Sequence, residues 1–395
     1  MSHAFKKFAV FFFALFSLAY VIGAEEPIKK TICLNMIVKN ERPVIERCLN
    51  SVKEKIDYWV IVDTGSDDGT QEAIKAYLKD IPGELHERPW VNFGHNRNEA
   101  LIFAKNKADY IMMIDADEVF EGPLDKSSLT EGAYLTNVRM PTDQDISLHR
   151  TLLVKNDLDW KWTGVIHERL ICPYNVPAAI LDNTVIRADF LDGNRCMNPR
   201  KYHKDAEVLE TALLTEPENA DYVYYLGQSY FNAREYAKSI DAYSRRAAMG
   251  GWDQQTFWSL YMVGLIRQSI KDPIDSVIDS YCKAYQFRPS RAEPLFRIAT
   301  LYLEKGNTIL AYLVLKHAMT LPKPSDSVYV ENWLYDYGLE GLFADSARIM
   351  GKREEYQGTL ARLLTREKLP NALRERIISS LSQIGLEPAK DANSR

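Results

Sequence analysis

Two kinds of hydrophobic pattern follow each other along the chain. In residues 30–116, apolar runs of strand length alternate with segments whose apolar residues recur at helical spacing. The run at 31–38 is nearly continuous, as expected for a strand buried on both faces, and 58–62 and 108–114 are further strands. From about Asn198 onwards only helical spacing remains. The sequence therefore predicts an α/β domain with a mostly parallel sheet, followed by an all-α region.

The helical region has the spacing of a short structural repeat. Gly227 and Ala299 occupy equivalent places 72 residues apart, about two units of the 34-residue tetratricopeptide period. Tyr281, Ala284 and Pro289 supply a divergent unit between them. This spacing predicts a solenoid of about three helical hairpins, which less regular helices then continue.

Acidic turns follow two of the predicted strands. The turn at 63–70 reads Asp-Thr-Gly-Ser-Asp-Asp-Gly-Thr, and Asp115-Ala-Asp117 follows the strand at 108–114. Because the carboxyl ends of parallel strands meet at one edge of a sheet, we expect both turns to face one cleft. Two carboxylates one residue apart are hard oxygen ligands for Mg²⁺ or Mn²⁺, ions that usually also take water and phosphate oxygens.

Composition and charge narrow the classes of function. The 395 residues carry 49 Lys and Arg against 54 Asp and Glu, a formal charge of −5, so no nucleic-acid partner is expected. The five cysteines are scattered and form no CxxC pair. Neither a zinc site nor a disulfide framework is therefore predicted.

Residues 1–24 have the layout of a secretory signal peptide. Lys6 and Lys7 precede an apolar run that ends at Gly23 and Ala24, directly before two glutamates. An uncleaved membrane anchor is the alternative, although the run is slightly short for a bilayer span of about 20 residues. The expected location is the secretory pathway or the cell envelope, with membrane association through this leader if it is not cleaved.

Five segments, taken in order, resemble a known enzyme family. They are Leu-Asn-Met-Ile-Val-Lys-Asn-Glu (34–41), Ile-Val-Asp-Thr-Gly-Ser-Asp-Asp-Gly-Thr (61–70), Phe-Gly-His-Asn-Arg-Asn-Glu-Ala (93–100), Ile-Asp-Ala-Asp-Glu (114–118) and Trp-Thr-Gly-Val-Ile-His-Glu (162–168). The chain in this region is similar to family 2 glycosyltransferases with the GT-A fold, and most of all to bacterial members fused to tetratricopeptide repeats. The resemblance implies a Rossmann-like α/β GT-A catalytic domain.

The resemblance also implies a role for each matching residue. Asp63 and the turn after it would hold the nucleotide, Arg97 would lie near the donor phosphates, and Asp115 and Asp117 would bind the metal ion. The residues expected to bind the nucleotide-sugar are Asp63, Ser66, Asp68, Arg97 and Asp115, and those expected to bind the metal are Asp115, Asp117 and His167.

His167 and Glu168 are the most discriminating pair in the sequence. A neutral imidazole can complete a metal shell, and a neighbouring carboxylate can take the proton from the acceptor, so Glu168 is the expected catalytic base. Neighbouring side chains of an extended segment point to opposite faces, and both residues can serve one site only if the chain turns there. Asp143 and Asp145 are rival bases, whereas the His-Glu-Arg at 86–88 is expected to be structural.

The predicted function is metal-dependent, inverting transfer of a sugar from a nucleotide-sugar, in the first place a UDP-sugar, to a protein, peptide or glycan. Mn²⁺ or Mg²⁺ is the expected cofactor. Because the catalytic part is compact, the repeats are expected to form one wall of the acceptor site. One alternative is a tetratricopeptide interaction protein with an inactive transferase domain, against which the intact Asp115, Asp117 and His167 argue. Another is a metal-dependent nucleotidyltransferase, but residues 35–41 contain no glycine for the usual phosphate loop.

This interpretation divides the chain into four segments. They are the leader or anchor at 1–24, the GT-A domain at 25–197, the tetratricopeptide-like repeats at 198–320 and a C-terminal helical extension at 321–395.

Overall fold

A computed structural model places most of the chain. It describes residues 29–139, 149–188, 192–195, 197–326 and 330–383. The leader, Asp143 and Asp145 lie outside the described residues. In the described part, no helix has both the length and the apolar character needed to cross a membrane.

Ten strands lie in the first half of the chain. They are β1 (Ile32–Val38), β2 (Tyr58–Asp63), β3 (Gly83–Glu87), β4 (Tyr110–Met113), β5 (Val119–Glu121), β6 (Ala133–Arg139), β7 (His149–Lys155), β8 (Lys161–Thr163), β9 (Arg169–Ile171) and β10 (Ala178–Arg187). Eight of them form one sheet in the order β3-β2-β1-β4-β7-β6-β10-β5, and β8 pairs with β9 in a separate hairpin.

The sheet is parallel on the side that the sequence pattern describes. β3, β2, β1 and β4 are parallel neighbours, which confirms the three strands predicted at 31–38, 58–62 and 108–114. Beyond β4 the sheet becomes mixed, because β7 lies antiparallel between β4 and β6. The α/β fold with a mostly parallel sheet is therefore as predicted.

Three helices connect the parallel strands and cover them. They are α1 (Ile45–Val52), α2 (Thr70–Tyr77) and α3 (Phe93–Ala104). α1 shows why the sequence folds this way, since Ile45, Cys48, Leu49 and Val52 recur at helical spacing and are all fully buried against the sheet. α3 begins at Phe93, where the side chain of Asn92 caps its first turn.

The second half of the chain is entirely helical. Its helices are α4 (Lys201–Thr215), α5 (Ala220–Asn232), α6 (Tyr236–Ala248), α7 (Asp253–Ser269), α8 (Ile274–Phe287), α9 (Glu293–Glu304), α10 (Thr308–Ala318), α11 (Leu339–Ile349), α12 (Arg353–Leu364) and α13 (Asn371–Gln383). A π-helical turn, Leu334–Gly338, leads into α11.

The repeat is visible as glycine–tyrosine packing inside successive hairpins. A Cβ atom on Gly227 of α5 would lie 3.0 Å from the Tyr243 ring of α6, and one on Gly264 of α7 would lie 2.6 Å from the Tyr281 ring of α8. The missing side chain lets each helix pair approach closely at the same place. This confirms the predicted solenoid, with α5–α6, α7–α8 and α9–α10 as its three hairpins.

The two halves share a hydrophobic cluster. Phe93 and Ile166 of the α/β half pack with Leu209 of α4 and with Tyr222 and Val223 of α5. The first helices of the helical half therefore share a hydrophobic core with α3 and the β8–β9 hairpin.

Candidate active site

The candidate site lies where the parallel strands end. The turns after β1 and β2 are joined there by side chain to backbone bonds. Ser66 Oγ accepts a hydrogen bond from the backbone N–H of Asn40 (2.8 Å), and Asp68 Oδ2 accepts one from Arg42 N–H (3.0 Å). Ser66 and Asp68, both predicted to bind the nucleotide, thus use these oxygens to hold the two turns in register.

Asp63, at the end of β2, keeps one carboxylate oxygen without a partner. Its Oδ1 accepts hydrogen bonds from the backbone N–H groups of Gly65 (2.9 Å) and Ser66 (2.8 Å). The side chain is fully buried, and no described residue donates to Oδ2. A buried acceptor without a donor is costly, so this oxygen calls for an N–H or O–H group that the described residues do not supply.

The acidic turn after β4 is fixed by its third acid. Glu118 is buried, accepts a hydrogen bond from the backbone N–H of Asp115 (3.0 Å) and is bound by both guanidinium nitrogens of Arg150 on β7. The Asp115 carboxylate remains 38% exposed, so it faces the cleft. Glu118 and Arg150 therefore position the turn, and Asp115 and Asp117 are its partly exposed acids.

Arg97 of α3 joins the acidic turn to the predicted base. Its Nη2 donates to Asp115 Oδ1 (2.7 Å) and its Nε to Glu168 Oε1 (2.5 Å). The guanidinium lies 5.2 Å from the centre of the Trp162 ring, and the side chain is only 13% exposed. The two carboxylates raise the pKa of Arg97 in spite of its burial, which acts in the opposite direction. One buried cation thus fixes the positions of both acids.

Contacts at the start of α3 fix the helix in position, so that Arg97 in its second turn reaches the acids of the site. Asn92 Oδ1 accepts a backbone N–H of the first turn (2.8 Å). A Cβ on Gly94 would lie 2.4 Å from the carbonyl oxygen of Gly164, so the helix can approach the β8–β9 hairpin only because residue 94 is glycine. Asn98 bonds both the N–H (2.8 Å) and the C=O (2.9 Å) of Trp162.

The chain does turn at His167 and Glu168, and the turn sends the two side chains apart. Gly164 has φ 109° and His167 has φ 51°, both in the left-handed region. Glu168 points to Arg97, whereas the His167 ring stacks on Tyr225 of α5 with centroids 4.3 Å apart. A strained conformation at a non-glycine residue beside a predicted base is typical of a functional turn.

The surroundings of His167 favour its neutral form. Desolvation by the neighbouring protein lowers its pKa to about 4, although the residue as a whole is exposed. Arg195 and Lys201 lower the pKa further, and Asp205 opposes them. The imidazole therefore offers a neutral, hydrogen-bonding wall.

Negative charge is concentrated around the acid pair. Burial, followed by Asp117 and Asp115, raises the pKa of Glu41 to about 7, although a hydrogen bond from the Asn194 N–H acts against them. Burial and then Asp115 raise the pKa of Asp117, whereas Arg97 and other nearby arginines hold that of Asp115 below its usual range in spite of burial. Crowded carboxylates of this kind favour a bound cation.

Asp115 and Asp117 could hold a divalent ion, but the structure does not bring the third predicted metal ligand, His167, to them. Among the described residues there is no group of three or more His, Cys, Asp or Glu side chains placed to hold a metal ion. Asp115 and Asp117 come from one turn, and His167 lies against the solenoid. An ion at the acid pair would take its remaining ligands from water and from phosphate oxygens, as Mg²⁺ and Mn²⁺ commonly do.

A segment that the sequence motifs do not point to crosses the acid pair. Residues 192–195, between β10 and α4, are fastened by Arg47, which donates to both oxygens of Asp192 (2.6 and 2.7 Å), and by Asn194 N–H, which donates to Glu41 (3.2 Å). A Cβ on Gly193 would lie 2.2 Å from an oxygen of Asp117. Sequence reasoning missed these contacts, since Asp-Gly-Asn signals only a turn.

Comparison with known protein families agrees with the motifs. Residues 33–126, which hold β1 to β4 and the acidic turn, match the family model "Glycosyl transferase family 2". The match assigns residues 33–126 to glycosyltransferase family 2. In this chain the family 2 domain is fused to tetratricopeptide-like helical repeats.

Several curated relatives are named glycosyltransferases. The chain is 25% identical over 233 residues to the SPbeta prophage-derived glycosyltransferase SunS of Bacillus subtilis, which covers 56% of this chain and 54% of that protein. It is 23% identical over 278 residues to an uncharacterized glycosyltransferase of Rickettsia bellii, covering 66% and 84% respectively. The chain thus spans about half the length of the SunS proteins that it matches.

Solved structures match the helical half weakly. The crystal structure of MamA has a TM-score of 0.34 and 15% identity, and the match covers 42% of this chain and 90% of MamA. A TPR protein of Thermus thermophilus has a TM-score of 0.31 and 16% identity, covering 46% and 91%. Both scores are low, and the assignment of repeat hairpins rests on the packing of α5–α10 itself.

Proposed function

We propose that this protein is a metal-dependent, inverting glycosyltransferase that moves a sugar from a UDP-sugar to a glycan, peptide or protein acceptor. The observation that carries the proposal is the Arg97 bridge, since a single guanidinium holds the donor-side acid Asp115 and the candidate base Glu168. Donor and acceptor groups bound at these two acids would lie side by side.

The donor nucleotide is assigned to the turns after β1 and β2. Asp63 Oδ2 is a buried acceptor without a donor, and the ring N–H of uracil would satisfy it. Ser66 and Asp68 shape the turn around that position. This arrangement accommodates the base of a UDP-sugar.

Asp115 and Asp117 are the residues that would hold Mn²⁺ or Mg²⁺. When bound, the ion supplies positive charge to the leaving nucleoside diphosphate. Arg97 and Arg150 keep Asp115 ionised at neutral pH, and ionised carboxylates are the form that binds metal.

Glu168 is assigned as the base. Its Oε1 is bound by Arg97, and no described residue bonds the second oxygen, which is therefore available to an acceptor proton. As the acceptor nucleophile attacks the anomeric carbon, Glu168 takes that proton and the bond to the nucleoside diphosphate breaks. A single displacement of this kind inverts the anomeric configuration.

The proposed function is tested by measuring turnover of the nucleotide-sugar donor. The protein is incubated with a panel of nucleotide sugars and Mn²⁺, and the products are separated by chromatography. We expect a nucleoside diphosphate to be released, fastest from a UDP-sugar, and NMR to show an inverted product. Release of pyrophosphate would instead indicate a nucleotidyltransferase, and no turnover of any donor would contradict the proposal.

A further inference from the structure

A pocket of about 460 Å³ lies at the junction of the two halves of the molecule. The beginning of α3 and the β8–β9 hairpin form one wall, and α5 with the turn before it forms the other. Side chains from both halves face it, among them Asn98, Trp162, His167, Glu216, Asp221 and Tyr225. Pockets between domains are frequent ligand sites.

Two contacts connect this pocket to the proposed reaction centre. His167 lines the pocket and directly precedes Glu168 in the turn. Trp162 also lines it, and its ring packs on the Arg97 guanidinium that holds Glu168. The pocket thus adjoins the candidate base through Trp162, which packs on Arg97, and through the turn that His167 shares with Glu168.

We infer that this pocket binds the acceptor, and that the acceptor end it takes is a neutral sugar unit. The inference rests on the proposed transferase function and adds to it the place and the chemical class of the acceptor. The solenoid then completes the acceptor site with Tyr222 and Tyr225, both of which line the pocket.

The charge of the lining favours a neutral ligand. Two basic residues, Lys161 and Arg169, face two acidic ones, Glu216 and Asp221. Arg169 and Asp221 neutralise each other in an ion pair of 2.6 Å across the junction. These four charges cancel, so the charged lining residues leave no excess of either sign to select a phosphate or an ammonium group.

Size and lining favour a sugar over a long peptide. The volume lies toward the lower end of the roughly 300–1,000 Å³ of small-molecule sites, enough for a terminal unit but not for an extended chain. Aromatic rings with hydrogen-bonding edges stand beside amides and carboxylates. That combination packs on the apolar faces of a sugar ring and bonds its hydroxyl groups.

The test fills the pocket from two elements of one wall, α3 and β8. His95 and Lys161 line the pocket and are exposed, so His95→Trp and Lys161→Trp would occupy it without disturbing the core. Ile102→Trp is the matched control, because Ile102 is 70% exposed and lies two turns further along α3, outside the pocket. The probes are methyl glycosides of glucose, galactose and N-acetylglucosamine and their disaccharides, titrated by saturation-transfer NMR with UDP and Mn²⁺ present.

We expect at least one saccharide to bind saturably, each pocket variant to weaken binding about tenfold or more, and Ile102→Trp to leave it unchanged. Absence of saturable binding to a protein that turns over its donor would overturn the inference. Equal binding by the pocket variants, or saturable binding of a Ser/Thr peptide alone, would overturn it as well. If saccharides bind and the pocket variants abolish that binding, but the protein turns over no donor, the pocket assignment stands and the transferase proposal is refuted instead.

Discussion

The guanidinium of Arg97 touches Glu168 with one nitrogen and Asp115 with another, at 2.5 and 2.7 Å. A lysine would hold both carboxylates only through the rotatable donors of one nitrogen, whereas arginine presents several donors in a fixed plane. The proposed base and the donor-side acid therefore depend on one residue that neither of them neighbours in sequence.

Replacing Glu168 by Gln tests the base. Gln keeps an oxygen that can accept from Arg97 but cannot take a proton, so kcat for transfer should fall by about 10²–10⁴ with donor KM little changed. Glu54→Gln, at an exposed position away from the cleft, is the control. Steady-state kinetics with the donor varied gives both constants. If Glu168→Gln keeps the wild-type rate, another acid is the base, and Asp143 and Asp145 would be examined next.

Gly193 is the place to test the contact between residues 192–195 and the acid pair. A Cβ there would lie 2.2 Å from Asp117 Oδ2, so Gly193→Ala should displace that carboxylate and raise the Mn²⁺ concentration needed for half-maximal turnover. Gly358→Ala is the control, since the nearest atom to a Cβ on that α12 residue is 3.8 Å away. Metal titrations of donor turnover would show the difference. If both variants require the same Mn²⁺ concentration, the close approach at Asp117 has no role in metal binding.

At the residue scale, the sequence motifs predict which residues belong to the site better than they predict which side chains contact each other. Asp63, Arg97, Asp115 and Glu168 could be singled out because their segments resemble a family, and the structure brings Arg97, Asp115 and Glu168 together. The stacking of His167 on Tyr225 could not be predicted, because it depends on how the solenoid packs on the hairpin, and no local spacing encodes that.

Helix α3 carries Arg97, and its N-terminus should therefore affect the reaction as well as stability. Asn92→Ala removes the cap and should cost about 1 kcal/mol of unfolding free energy. Because the frayed first turn adjoins Arg97, donor turnover should also fall, by about tenfold, which corresponds to about 1.4 kcal/mol.

The matched control for this change is another helix cap. Asn307 caps α10 in the solenoid in the same way, so Asn307→Ala should lower stability by a similar amount without changing the rate. Urea unfolding and donor turnover of both variants provide the comparison. An equal loss of rate in the two variants would mean that stability alone, and not the position of Arg97, limits turnover.

Among the elements, the long periodic ones were predictable and the short ones were not. β1, β2 and β4 are buried apolar runs whose type is clear from sequence. β5, β8 and β9 have three residues each, too few for a period to appear. The antiparallel position of β7 depends on pairing between distant segments, so the sequence pattern does not contain it.

For the whole molecule, the shared hydrophobic cluster predicts that the α/β half and the first hairpin of the solenoid unfold together. Leu209 of α4 is fully buried in that cluster, and Leu209→Ala should cost about 2–5 kcal/mol. The backbone amides of β1 should then exchange faster with deuterium, because local openings become more populated.

Leu363 of α12 gives the control, since it is equally buried but belongs to the C-terminal cluster. Leu363→Ala should destabilise α11–α13 and leave exchange in β1 unchanged. Hydrogen exchange followed by mass spectrometry resolves the two regions. Unchanged β1 exchange in Leu209→Ala would mean that the two halves unfold independently.

The most direct measurement of the central claim is UDP release from a UDP-sugar as Mn²⁺ is titrated into metal-free protein. For the wild type we expect no release in chelator and saturable activation by Mn²⁺. Asp117→Asn should lower the rate by about 10²–10³, the cost of one preorganised electrostatic contact, while Asp182→Asn at an exposed position has no effect. Full turnover in chelator, or a wild-type rate for Asp117→Asn, would contradict metal-dependent transfer at the Asp115–Asp117 turn.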